Sequence, residues 1–222
     1  MKGDDAKVRV ARIDEIEPVA VAGGLYHPLR RALGVRAFGI NAYSARAAGD
    51  QLIETHDETG AGSGGQEEAY VVVSGRATFA VGDEEIDAPA GTVVFVPDVA
   101  VKRSAVAAEP DTVALVVGGP ADRPLPVSPF EYWFVAEAPY QEGDYKRAIE
   151  IASEGFEQWP DHAHLHYQVA CYQALDGNAD AALEHLATAC ARDDRAKEWA
   201  RGDRDFDSVR DDPRFEQALA GG

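Results

Sequence analysis

The segment Glu54 to Gly75, ETHDETGAGSGGQEEAYVVVSG, sets His56 among the carboxylates Glu54, Glu58 and Glu68 ahead of a valine-rich run. Imidazole and carboxylate are the side chains that exchange protons near neutral pH and that hold divalent ions. The segment is therefore a candidate for general acid–base chemistry or for a metal centre. Residues two apart on a strand share a face, so Glu54 with His56, or His56 with Glu58, can project into one space.

Other chemistry-bearing residues have plainer readings. His162, His164 and His166 alternate in DHAHLHY, but in a helix residues two apart lie roughly 200° apart around the axis, which precludes three-way ligation. Asp161, beside Pro160, is the expected N-cap of that helix. Arg30 and Arg31 in YHPLRRALG could face an anion, yet a short amphipathic helix packing Leu29 and Leu33 against the rest accounts for the pattern better. GAGSGG lacks the Lys-Ser/Thr ending and the following helix of a phosphate-binding loop. Cys171 and Cys190, in helix-like surroundings without C-x-x-C spacing, read as packed or free thiols.

The elements that must position His56 and its neighbours follow from punctuation. Short Val, Ile, Phe and Tyr runs separated by Gly, Pro and Asp predict strands near 35–44, 50–56, 69–74, 76–82, 85–88, 92–97, 100–106 and 112–118. Eight short strands suggest a closed barrel or sandwich. GPADRPLPVSP, from Gly119 to Pro129, holds four prolines and is the expected linker. From about Tyr140 the period becomes helical, with breaks at EGDY, WPDH, DGNADA and RDDR.

A 34-residue shift superposes Val135 on Val169, Ala136 on Ala170, Gly143 on Gly177, Ala148 on Ala182, Ile149 on Leu183, Ala152 on Leu186 and Gly155 on Ala189. Here the chain resembles tetratricopeptide repeats, with a turn glycine, a small residue where helices cross and Pro160 after the second helix. Asp194 stands where the second repeat would have its proline, and Pro139 falls inside the expected first helix, which is therefore read as short or as starting there. The tail AKEWARGDRDFDSVRDDPRF is expected to supply a closing helix that buries Trp199, Phe206, Val209 and Phe215.

Glu68, six residues and Gly75 match the end of the first motif of the cupin superfamily, G-x5-H-x-H-x3-4-E-x6-G. Gly91, five residues and Pro97 match the start of its second, G-x5-P-x-G-x2-H-x3-N. The resemblance covers roughly 34–118. Together with the proline-rich segment and the tetratricopeptide-like repeat, it leads to the expectation of a multidomain β + α chain: a cupin double-stranded β-helix, or jelly-roll barrel, over 1–118, a Pro-rich linker over 119–134, and a tetratricopeptide-like α-helical domain over 135–222. In that family three histidines and the glutamate hold iron, manganese, nickel or zinc. Counted from Gly91 and Pro97, the second-motif histidine position is Lys102, its glycine Val99 and its asparagine Val106.

A protonated lysine offers a metal no lone pair and repels it. The expectation is therefore a barrel without cofactor, in which Lys102 pairs with Glu68 and His56, Glu68, Tyr70 and Lys102 line a ligand site. The alternative is a metal-dependent oxygenase or isomerase of a small polar metabolite, its divalent ion held by Glu54, His56, Glu58 and Glu68. The loop DETGAGSGGQE before Glu68 is read as a lid or a tolerated insertion.

A net charge of -18 over 222 residues repels phosphate backbones and anionic lipid. Expected partners are a protein on the helical domain, a small polar molecule and a second copy of the chain, and not nucleic acid or membrane. Neither a signal-like segment nor a long apolar run occurs in the sequence, so a cytoplasmic location is expected.

Overall fold

The computed structural model describes residues 8–21, 24–60 and 64–220. Contacts divide the chain into two units, Met1–Pro124 and Leu125–Gly222.

The first unit contains β1 (Val19–Val21), β2 (Gly24–His27), α1 (Leu29–Leu33), β3 (Gly39–Ala45), β4 (Gln51–His56), β5 (Gln66–Ser74), β6 (Arg76–Val81), β7 (Glu84–Pro89), β8 (Val93–Val96), β9 (Arg103–Ala107) and β10 (Thr112–Pro120). Strands β3 to β10 fall on the eight expected segments with shifted ends. They form a six-stranded sheet in the order β1-β2-β3-β10-β5-β8 and a four-stranded sheet in the order β4-β9-β6-β7. Period-two alternation puts Tyr70 and Val72 of β5, Phe79 of β6, Ala105 and Ala107 of β9, and Ala114 of β10 into one buried core. The expected amphipathic α1 forms, with Leu29 buried and Leu33 half-buried. No helix among the described residues is long and apolar enough to cross a membrane.

The second unit is helical: α2 (Pro129–Gln141), α3 (Tyr145–Glu154), α4 (Ala163–Leu175), α5 (Ala179–Arg192), α6 (Arg195–Gly202) and α7 (Pro213–Leu219). Gly143 and Gly177 take positive φ in the α2–α3 and α4–α5 turns, a left-handed conformation that glycine adopts without steric cost.

Several expectations on this side need correcting. Gly119 and Pro120 complete β10, and α2 starts at Pro129, inside the segment expected as linker. Proline suits the first helical position, and the Ser128 side chain accepts the Phe130 N–H at 3.4 Å. The helix runs through Pro139, near its end, where the carbonyl deprived of its partner belongs to exposed Val135. His162, not Asp161, caps α4, its Nδ1 accepting the Leu165 N–H at 3.3 Å. Asp161 instead pairs with Arg192 at 2.5 Å. The tail does not close the unit with a single helix: Phe206 sits in a 3-10 turn, Val209 in the turns that follow and Phe215 on α7, all buried, while Trp199 on α6 stays 37% exposed.

His164 and His166 follow the cap on α4 but diverge. His164 stacks on Trp133 at 3.8 Å, and His166 Nδ1 lies 2.8 Å from His185 Nδ1. Burial holds His162, His164 and His185 below the ordinary histidine range, helped at His162 and His185 by the charge of His166. An unfolded histidine titrates near ~6.5, so as the pH falls through that value the unfolded chain takes up protons that the folded unit refuses. The helical unit is thus expected to lose stability on acidification, its tryptophan-fluorescence melt coming at a lower temperature at about pH 5.5 than at about pH 7.5. An unchanged or higher melt would contradict this.

Candidate functional site

Strand β9 decides what lies between the two sheets. Arg103, Ala105 and Ala107 share its buried face, and Arg103 is 1% exposed. Lys102, one residue earlier, is exposed, so the expected Lys102–Glu68 pair is replaced by Arg103. Its guanidinium donates to Glu68 Oε2 at 3.0 Å, to the Tyr70 hydroxyl at 3.3 Å and to the Val101 carbonyl at 2.9 Å. The planar fork reaches three acceptors at once, which a lysine ammonium at the end of one flexible stem would not do in the same geometry.

Glu68 and Tyr70 sit two apart on β5 and face the same way. The Tyr70 hydroxyl donates to Glu68 Oε2. His56, at the end of β4, brings Nε2 to 3.4 Å from Glu68 Oε2 and 3.9 Å from Glu58 Oε1, while its Nδ1 lies 2.8 Å from the Glu54 carbonyl. His56, Glu68 and Tyr70 are therefore brought together, Lys102 is not, and Glu54 contributes its carbonyl from an exposed position. Residues 61–63 of the expected lid loop lie outside the described residues.

The charges bias one another. Burial pushes the Glu68 carboxyl up, but hydrogen bonds from His56 and Tyr70 and the Arg103 charge outweigh it and hold it below its usual range. The hydrogen bond to Glu68 raises His56 against the opposing effect of burial. Glu58, 8% exposed, is raised by burial and by the charge of Glu68. The Glu58 Oε2 atom is buried without a hydrogen-bond partner.

A cavity of about 280 Å³ opens between the two sheets beside this cluster. Its wall includes Tyr26 of β2, Tyr43 of β3, Glu54, His56, Glu58 and Glu68. Burial, with the charges of Tyr26, Glu68, Glu54 and Glu58, pushes Tyr43 up to about 12. A larger and more open hollow, about 690 Å³, takes His27 and Ser44 into its wall. Ser44 follows Tyr43 on β3 and so faces away from the smaller cavity. The carboxylates and His56 converge on the smaller one.

Donor atoms of His56, Glu58 and Glu68 lie within 4.8 Å of one another, and one imidazole with two carboxylates suits a divalent ion in kind. Against that, Glu68 Oε2 already accepts from Tyr70 and from a guanidinium whose charge repels a cation. A second group of this sort, Cys171 with Asp203 and Asp205, lies in the helical unit. There the Tyr167 hydroxyl donates to Asp203 at 2.8 Å and the Tyr140 hydroxyl to Asp205 at 3.1 Å. Burial and the two aspartates hold the Cys171 thiol well up, so it stays neutral and unreactive.

No known family pattern and no curated protein matches the chain. Among solved structures it is similar to a sugar phosphate isomerase candidate from Acidithiobacillus ferrooxidans, at 27% identity over 44% of this chain and 59% of that one, with a TM-score of 0.37. A predicted oxalate decarboxylase from Thermotoga maritima matches at 22% identity, over 50% and 97% of the two chains, with a TM-score of 0.41. An RmlC-like cupin from Shewanella frigidimarina matches at 16%, over 49% and 87%, with a TM-score of 0.39. The chain thus spans less than two thirds of the first of these proteins, and each match takes in about half of this chain.

Arg103, Tyr26 and Tyr43 are the site residues that the motif comparison passes over. Arg103 has a signal in the alternation of RSAVA, whereas Tyr26 and Tyr43 meet only through the β2–β3 pairing, which sets them opposite each other.

Proposed function

We propose that the first unit is a cupin-type barrel that binds a small polar molecule at the His56, Glu58 and Glu68 cluster without a resident metal. The helical unit, which we read as tetratricopeptide-like because α2 and α4 begin at the same spacing as α3 and α5, recruits a protein partner. The observation that carries the barrel reading is the Arg103 guanidinium, fully buried and 3.0 Å from Glu68 Oε2. It occupies with a fixed positive charge the place where a bound cation would compensate Glu68. His56, held toward its protonated form by Glu68, is the group positioned to pass a proton to or from a ligand.

The second reading is a metal-dependent enzyme, an oxygenase or isomerase of a small polar metabolite. It is favoured by the convergence of His56, Glu58 and Glu68 donor atoms within 4.8 Å. Titrating the ¹⁵N-labelled full chain with manganese chloride separates the two. The metal-independent reading expects no selective broadening of the His56, Glu58 and Glu68 amides at substoichiometric manganese. Selective broadening there would replace it by the second reading.

A further inference from the structure

We propose that the cavity between the two sheets takes a small organic cation, an ammonium or quaternary ammonium group seated between the Tyr26 and Tyr43 rings and Glu58. The proposal rests on the reading of the barrel as a metal-independent binding site, and it names the class of ligand.

Three observations converge on it. The first is the charge of the wall: Glu54, Glu58 and Glu68 line the cavity, and no lysine or arginine does among the described residues. Arg103 reaches Glu68 from within the barrel, and its charge is answered there. An anionic ligand would meet these three carboxylates, while the basic group His56 in the same wall is already engaged by Glu68. The second is Glu58, 8% exposed, whose Oε2 is buried with no hydrogen-bond partner, while the Gln66 backbone N–H bears on the carboxylate and Oε1 lies 3.9 Å from His56 Nε2. Oε2 itself is closed off, but the charge of the Glu58 carboxylate would be offset through space by a cation in the adjoining cavity. The third is aromatic: the Tyr26 and Tyr43 rings, with centroids 5.3 Å apart and planes tilted by 58°, form part of the same wall. Their negative faces attract a cation.

These features select an organic cation over a metal ion. A divalent ion would have to compete with Arg103 and Tyr70 for Glu68 Oε2 and sit beside the fixed guanidinium charge. A bulky, weakly hydrated ammonium needs only one compensating carboxylate and aromatic faces. About 280 Å³ is ample for such a group.

Calorimetric titration of the full chain with choline and with 3,3-dimethylbutan-1-ol, its uncharged isostere, tests the proposal, because the two differ in charge and hardly in shape. Choline is expected to bind, with the isostere roughly tenfold weaker or more. Glu58→Gln should weaken choline by a similar factor while leaving the isostere unchanged. Tyr43→Leu, which removes a ring face and keeps Glu58, should weaken choline by roughly threefold or more, so that the test does not depend on one variant folding. Equal binding of choline and the isostere would overturn the cation proposal and leave the barrel as a binding site. Binding of neither, with manganese still excluded, would also overturn it. Capture of manganese at His56, Glu58 and Glu68 would sink the metal-independent reading as well.

Discussion

Replacing Arg103 by methionine is expected to destabilise the β unit by about 3–5 kcal/mol, the cost of breaking a buried ion pair from one side. Glu68 would keep a carboxylate inside the barrel with only Tyr70 and His56 to donate to it, and the Val101 carbonyl would lose its donor. The intact pair itself contributes little net stability, since removing both charges from water offsets their attraction. The double variant Arg103→Met, Glu68→Gln should therefore recover much of the loss. Hydrogen exchange of the β5, β6 and β9 amides measures this in the full chain. A loss below about 1 kcal/mol in the single variant, as for an exposed ion pair, would contradict the account.

Phe206→Ala is the second large effect, expected at about 3–5 kcal/mol in the helical unit. The ring is 0% exposed and lies 5.7 Å from Tyr167 and 6.0 Å from Phe215, so its removal opens a cavity where the 3-10 turn meets α4 and α7. An isolated helix as short as α7 is not stable in water, so the tail depends on this packing together with buried Val209, Phe215 and Leu219. Trp133, Trp159 and Trp199 all belong to this unit, so tryptophan fluorescence during urea unfolding reads it alone. An unchanged midpoint would show that the tail does not close the unit.

The legibility of the sequence varied with the range of the signal. Strands such as β6 and β7 could be read because Gly82 and Asp83 punctuate two runs, and Gly82 takes the positive φ that the turn requires. β1 and β2 were not read: VAV and GLYH are too short for an alternation to register, and neither has the four-residue apolar run VVFV that marks the similarly short β8. Motif counting placed the inner cation at Lys102, whereas the burial pattern of β9 selects Arg103. A spacing borrowed from a family does not fix register, and a slip of one residue turns a strand's side chains to the opposite face. Pro139 reads as a helix breaker by local propensity, and α2 tolerates it near a terminus where an exposed carbonyl can find water. The charge cluster as such was visible in His56, Glu58 and Glu68. Its aromatic wall was not, since Tyr26 and Tyr43 lie far before it in the chain and meet through sheet pairing.

The central claim is that Arg103, and not a metal, compensates the barrel carboxylates. Metal content by inductively coupled plasma mass spectrometry, on untagged full chain purified without chelators and beside its Glu58→Gln variant, tests it most directly. The account predicts transition metals at background in both proteins. About one equivalent of a single transition metal per chain, lost in the Glu58→Gln variant, would contradict it and establish His56, Glu58 and Glu68 as a metal centre.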